Sequence, residues 1–319
     1  GLAAFQAEDA RFFFGRELEV EALWKKLRRP HLLAVIGPSG AGKSSFLRAG
    51  LLPTLTDGWQ AIVTTPGDRP FGHLAHSLAD ELGEAPGVTD LLQRIEEPEV
   101  ALELLSEWRK RSQHALLIVD QFEELFTQNS EDIQERLAEL LGRLPLEADL
   151  FVLLSMRDDF LFHCHRFEAF QPILSDLTLL GPPTGASLRR ALVEPALRSG
   201  YRFEEESIVE EMLAEVEGER GALPMVAFTA ASLWEERDRE TGFLTKEAYE
   251  AIGGVGGALA QHAESTLQQI GEERIPIVRE LFRNLVTAQW TRAVVDREEL
   301  LSVVPDQEAA TRVLDTLVD

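Results

Sequence analysis

Cysteine is nearly absent: one residue of 319, Cys164, carries a thiol. A lone thiol cannot close an internal disulfide, so nothing points to an oxidising compartment, and a cytoplasmic location is expected. Long apolar runs are missing too. The longest, Ala115–Val119 and Leu150–Met156, fall far short of the roughly 18–20 residues that span a bilayer. The chain opens Gly-Leu-Ala-Ala, without a basic region followed by an apolar one, so no secretory leader is read there. A first residue other than Met leads us to expect a piece cut from a longer polypeptide. Low-complexity tracts and internal repeats of about 20–50 residues are not found. Basic charge is scarce: 31 Lys and Arg stand against 55 Asp and Glu, a net charge of −24. Such a surface repels phosphate backbones, so neither a nucleic acid nor a membrane is expected as a direct partner. Any bound nucleotide must therefore be held by local donors and a metal, against the overall field.

What is present suffices for a large core. Hydrophobic residues make up 45% and charged residues 27%, which suits a globular chain of two or three domains. In the first half, short apolar stretches alternate with amphipathic ones, the pattern of a parallel sheet covered by helices. Strands are expected at His31–Ile36, Gln60–Thr65, Ala115–Val119, Leu150–Ser155 and Leu177–Leu180. Helices are expected at Lys43–Leu52, Phe71–Leu82, Glu99–Ser112 and Glu131–Leu144. Gly181-Pro182-Pro183-Thr184-Gly185 breaks this pattern and is read as a boundary. After it the chain reads as helical: Ala186–Arg198, Glu205–Val216, Met225–Arg237, Lys246–Ala251, Ala258–Ile270, Ile277–Thr287, and two short helices between Asp296 and Asp319. The run Gly253-Gly254-Val255-Gly256-Gly257 is read as a hinge or turn.

The strongest motif is Gly37-Pro38-Ser39-Gly40-Ala41-Gly42-Lys43-Ser44, with Ser45 after it. It fits GxxxxGK[ST] and lies between an expected strand and an expected helix. Its glycines let the backbone curl so that several N–H groups face phosphate oxygens. The helix behind it presents a positive end to the same anion. Lys43 reaches the β- and γ-phosphates, and the Ser44 hydroxyl is placed to ligate Mg²⁺.

A second signal is the apolar strand ending in Asp120. In parallel sheets ligands gather at the carboxyl ends of the strands, so Asp120 is the second expected metal ligand. Glu123 and Glu124 follow, and either acid can polarise a water; Glu123 is the favoured general base, with Glu124 as its neighbour or substitute. A third strand ends in Arg157, a cation suited to sensing the γ-phosphate. Two weaker signals bear on the base: either Phe14-Gly15-Arg16-Glu17, with Phe12 and Phe13, or Gly221-Ala222-Leu223-Pro224 can pack on a purine, though a Pro in the first turn of a helix is also ordinary structure. His163-Cys164-His165 is not read as a metal site, because no matching Cys or His pair exists and alternate residues of a helix diverge. No Asn-Lys-x-Asp motif is present, which favours adenine over guanine.

FFFGRELEV, GPSGAGKSSFLRAGLLP, LLIVDQFEELF, LLSMRDDFL and GALPMV, in that order, resemble the STAND class of P-loop NTPases, in the bacterial branch near the NACHT and NB-ARC proteins. The resemblance covers essentially the whole chain, and the DQFEELF and MRDDF blocks, with the GGVGGAL segment after them, are more specific than the P-loop. It implies an α/β P-loop nucleotide-binding domain with a three-layer parallel sheet over 1–184, a helical lid over 185–252 and a winged-helix-like all-α region, truncated, over 253–319. It also implies that Arg16 with its neighbours and Pro224 line the adenine pocket, and that Arg157 is the first sensor. Such proteins carry effector domains and repeat sensors, often WD-repeat propellers or helical repeats, outside the segment seen here. Many bacterial members act in signalling, transcriptional control or antiviral defence. NB-ARC relatives have a His near the end of the winged-helix part that contacts ADP; no such motif is found in this sequence.

The expected function is that of a slow ATPase switch with ATP or ADP and Mg²⁺ as ligands. ADP keeps the module closed, ATP opens it, and the open form makes homo-oligomers that activate an effector. Two alternatives stand beside it: a motor-like AAA-type ATPase that remodels protein or DNA, and a nucleotide-gated scaffold with little hydrolysis.

Overall fold

The computed structural model describes residues 3–29, 31–82, 93–175, 177–219, 221–286, 295 and 297–318. Among them, five strands form one parallel sheet: β1 (Leu32–Gly37), β2 (Trp59–Thr64), β3 (His114–Val119), β4 (Phe151–Arg157) and β5 (Leu177–Leu179). Their order is β2-β3-β4-β1-β5. The P-loop strand β1 thus lies between β4 and β5, and the strand that precedes Asp120 is one further away.

The apolar strand runs are continuous because both faces of the sheet are covered, and the alternation of side chains assigns each residue to a layer. Leu32, Ala34, Ile36, Ala115, Leu117, Val119, Val152, Leu154 and Met156 share one core with the helices Pro70–Leu82, Pro98–Arg109 and Glu131–Glu147. Leu33, Val35, Leu116, Ile118, Phe151 and Leu153 face the other way. They pack against the helix Glu17–Lys26 and the segment Phe46–Leu51. The expected three-layer α/β arrangement is therefore observed. Cys164 is buried under the first core, donating to Met156 Sδ at 3.7 Å. Burial pushes its thiol up to about 12, which makes it inert.

Several local expectations need correction. The helix after the P-loop is not one regular α-helix to Leu52. After Lys43–Ser45 it widens into a π-helix over Phe46–Leu51 and tightens to a 3₁₀ turn over Leu52–Thr54. Gly50 lies against Phe13: a Cβ there would sit 2.8 Å from its ring. The helices Glu17–Lys26 and Ala7–Phe12, the latter a 3₁₀ helix, went unread. The region after residue 185 is not purely helical, since Arg202–Phe203 pairs in parallel with Phe243–Leu244.

The glycine run is no hinge. Gly253 and Gly254 turn through positive φ, and Gly254 already begins the helix Gly254–Ile270. The Glu215 carboxylate caps this helix by accepting the N–H groups of Val255 and Gly256 at 3.1 and 3.3 Å, a favourable place for an anion. Val255 and Ala258 of this helix join a second core that starts at Leu188, and Ile270 joins a third with Val278, Leu281, Val313 and Leu314. The expected helix end Thr287 and the limits Asp296 and Asp319 lie outside the described residues. Among the described residues no helix is long and apolar enough to cross a membrane.

Candidate nucleotide site

The carboxyl ends of β1, β3 and β4 open into a cavity of about 640 Å³, within the roughly 300–1,000 Å³ of small-ligand pockets. Ser39 to Ser45, Asp120, Gln121, Glu123 and Arg157 form its polar end. Phe12, Phe13, Leu188, Leu192, Pro195 and Pro224 are among the residues of its apolar side. The site thus joins an anion cradle to a greasy slot.

The cradle follows from its glycines. Gly40 and Gly42 have φ of +77° and +83°, a conformation that L side chains avoid. Close packing reinforces the requirement, since a Cβ on Gly40 would lie 2.8 Å from Pro224 Cγ and one on Gly42 would lie 3.0 Å from Leu223 Cδ2. The start of the helix Ala222–Glu235 is therefore seated on the loop. Lys43 Nζ donates to the carbonyls of Gly37 and Pro38 at 2.8 and 3.0 Å. Burial pushes its ammonium below the usual lysine range. Glu123, Asp120 and Asp158 pull it back up, and Arg157 adds to the lowering.

Asp120 follows β3 directly and is 1% exposed. Its Oδ1 accepts the Gln121 N–H at 3.0 Å, whereas the buried Oδ2 accepts no hydrogen bond. Arg48 Nη2 stands 3.6 Å from Oδ2. Arg48 lies one helical turn beyond Ser44, so this ion pair fixes Asp120 beside the P-loop helix. A buried carboxylate oxygen without a hydrogen bond is costly and suits a hard divalent cation. Among the described residues no group of three or more His, Cys, Asp or Glu gathers to hold a metal. Ser44 lines the same cavity.

The two glutamates part company. Glu123 lines the cavity, and its Oε2 accepts the Arg157 N–H at 3.3 Å. Glu124 turns toward the loop after β2 and accepts the Gly67 N–H at 3.0 Å. Burial raises its carboxyl above the usual range against the pull of that N–H, with Glu123 and Asp120 adding to the rise. Arg157 is level with Gly37 in the β1–β4 register. Arg157 lines the cavity, and its guanidinium grips both oxygens of Asp159, at 3.0 and 2.5 Å.

Arg16 is 6% exposed and lines the cavity, yet its guanidinium is committed to protein. It donates to the carbonyls of Ala41 and Gly181 at 2.9 and 2.7 Å and to Glu19 at 3.0 Å. It braces the P-loop from behind. Gly15 makes the turn before it at φ +86°, where a Cβ would meet the Ser187 carbonyl at 2.3 Å. Ser45 Oγ accepts the Phe5 N–H at 3.1 Å, and Gln6 Oε1 accepts from Arg48 Nη1 at 3.1 Å. A strap of N-terminal residues thus crosses the P-loop helix. That strap, Arg48 and Gln121 escaped the sequence reading. For Arg48 a signal existed: four residues after Ser44 on a helix place it on the same face. His163 stacks between Phe126 and Phe160, as ordinary packing.

The profile of the novel STAND NTPase 1 family matches residues 1–319. A curated relative, the phosphate import ATP-binding protein PstB 2 of Shouchella clausii (strain KSM-K16), is 32% identical over 93 residues, which are 29% of this chain and 32% of that protein. The chain thus spans about a third of the length of this relative. Among solved structures, a Walker-type ATPase of Pyrococcus abyssi aligns over 98% of this chain and 91% of its own, with a TM-score of 0.57 and 16% identity. The ORC2 protein of Aeropyrum pernix, solved as ADPNP and ADP complexes, aligns over 94% of this chain and 79% of its own, with a TM-score of 0.53 and 14% identity. The fold is that of a P-loop NTPase.

Proposed function

From the premise that the chain belongs to the novel STAND NTPase 1 family, we propose that it is a Mg²⁺-dependent ATP and ADP switch with slow hydrolysis, working inside a larger multidomain regulator. The observation that carries this reading is the buried Asp120 Oδ2, without a hydrogen bond, on a residue that lines the same cavity as the P-loop. Adenine is supported by the apolar slot next to the cradle, and by the ADPNP and ADP complexes of the Aeropyrum protein of like fold.

Ser44 and Asp120 would hold Mg²⁺, which when bound offsets charge on the β- and γ-phosphates. Lys43 leaves the carbonyls of Gly37 and Pro38 for those phosphates. The amides around Gly40 and Gly42 point at the same oxygens. Glu123 takes a proton from the attacking water: the water oxygen bonds to Pγ, the bridging oxygen departs with ADP, and the proton ends on the carboxylate. Arg157 moves from Asp159 toward the γ-phosphate and so reads its presence. Glu124, held by Gly67 and turned from the cavity, is the less suited base.

Switching is supported by the seat of Leu223 and Pro224 on the P-loop glycines, which links the nucleotide to the helical region after residue 185. Moving such an equilibrium from 1:99 to 99:1 needs about 5.5 kcal/mol of differential binding, a demand that three charged contacts to a γ-phosphate can meet. The open form would then make homo-oligomers and activate an effector elsewhere in the polypeptide, in signalling, transcriptional control or defence. The test is Glu123→Gln. ATP turnover should fall by about a hundredfold, within the range for loss of a general base, with ADP affinity unchanged. Turnover that survives Glu123→Gln but is lost in Glu124→Gln would move the base to Glu124.

A further inference from the structure

We propose that Gln121 is a positioning residue for hydrolysis, its side-chain amide holding the attacking water against the γ-phosphate; this rests on the ATPase reading above.

The backbone gives the reason. Beyond Val119 the chain turns sharply, and Gln121 makes the turn at φ +52°. Three hydrogen bonds surround this turn. The Gln121 N–H fixes Asp120 Oδ1, the Phe122 N–H reaches across to the Ser155 carbonyl on β4 at 2.8 Å, and Glu123 arrives beside the Arg157 N–H. Turning at residue 121 is therefore what brings the proposed metal ligand and the proposed base to one wall. The turn itself asks for glycine, since a side chain in the left-handed region is sterically disfavoured. Among the described residues one other non-glycine, Asp149, shares this conformation. Asp is a residue that tolerates it, and the Asp149 carboxylate is paired with Arg109. Gln121 has no such explanation. Its side chain is exposed, makes no hydrogen bond among the described residues, and lines the nucleotide cavity with Asp120 and Glu123.

Chemistry says what a glutamine supplies there. A carboxamide accepts through its oxygen and donates through its nitrogen, whereas an ionised carboxylate only accepts. Gln121 can accept from the water while donating to a γ-phosphate oxygen, and it adds no negative charge beside the phosphates. It is the one carboxamide on the described cavity wall. In the step itself the water oxygen bonds to Pγ, the bond from Pγ to the bridging oxygen breaks with its electrons going to ADP, and Glu123 receives the proton. Gln121 neither gains nor loses one.

The experiment compares the wild-type chain with Gln121→Gly and Gln121→Asn, measuring thermal unfolding, ADP and ADPNP affinity, and ATP turnover. Gln121→Gly relieves the strained turn, so its melting temperature should equal or exceed that of wild type. Its ADP affinity should stay within about twofold while kcat falls at least about tenfold and ADPNP affinity falls by less than the rate, the pattern of a contact that strengthens in the transition state. Asn tolerates the left-handed turn and keeps an amide, so it should recover part of the rate. Turnover by Gln121→Gly within about twofold of wild type would overturn the inference, as would a loss of ADP affinity equal to the loss of rate. If Glu123→Gln abolishes turnover while Gln121→Gly does not, this inference alone falls. A wild-type chain without turnover would sink the ATPase reading together with it.

Discussion

Replacing Arg48 by Ala should weaken the free protein and yet tighten its grip on Mg²⁺-nucleotide. Arg48 stands 3.6 Å from Asp120 Oδ2, and the two side chains are 29% and 2% exposed. At an effective dielectric of about 20, unit charges at that distance attract by roughly 4–5 kcal/mol. Water at the half-open guanidinium screens part of this, which puts the cost below the ~3–5 kcal/mol of breaking a fully buried pair. Loss of the Arg48 bond to Gln6 Oε1 adds a little. We expect Arg48→Ala to destabilise the nucleotide-free chain by about 2–3 kcal/mol, because the buried Asp120 carboxylate loses its paired guanidinium. Mg²⁺ bound at Asp120 replaces the missing charge, so the loss should shrink to about 1 kcal/mol with saturating Mg²⁺-ADP. By linkage the difference returns as affinity: about 1.4 kcal/mol is tenfold, so Mg²⁺-ADP should bind Arg48→Ala roughly tenfold more tightly than wild type. Arg48 does not line the cavity, so no nucleotide contact is lost. Urea unfolding with and without Mg²⁺-ADP reads the first quantity, and calorimetric titration reads the second. Equal destabilisation in both states, or weaker Mg²⁺-ADP binding, would refute the assignment of Asp120 Oδ2 to the metal.

Two further outcomes follow from charge. Burial holds the Lys43 ammonium below its usual range, and phosphates favour the protonated form. ADP affinity should therefore fall as pH rises through the depressed value, with proton uptake on binding in the alkaline range below the ordinary lysine value of about 10.4; titration in two buffers of different ionisation enthalpy measures it, and proton release would contradict it. The Glu124 carboxyl is raised by burial. The folded state thus binds more protons than the unfolded one above the ordinary value of about 4.3, and stability falls as pH climbs through the raised value. Glu124→Gln should match wild type in melting temperature below about pH 4 and exceed it at neutral pH; an equal offset at both would contradict this.

The sheet and the P-loop were legible because their signals are local. Ala115–Val119 is apolar throughout since β3 is covered on both faces, and GPSGAGKS needs only its own backbone to form a cradle. What escaped depends on partners distant in sequence. Gly253 to Gly257 reads as a flexible connector until Glu215, some forty positions earlier, is seen to cap the helix. Arg16 lines the cavity, but nothing in FFFGRELEV shows that the carbonyls of Ala41 and Gly181 hold its guanidinium. Glu123 is favoured over Glu124 in the sequence, but that Glu123 lines the cavity while Glu124 turns to Gly67 depends on the fold around the left-handed kink at Gln121. The strap of Phe5 and Gln6 was invisible because it is fixed by contacts to Ser45 and Arg48 across the fold.

The most direct trial of the account is a crystal structure of the chain with ADPNP and Mg²⁺. It should hold the triphosphate under the amides from Gly40 to Lys43, with the ion between the Ser44 hydroxyl and Asp120, bonded directly or through one water. A nucleotide seated elsewhere, or an ion that leaves Asp120 paired with Arg48 alone, would contradict it.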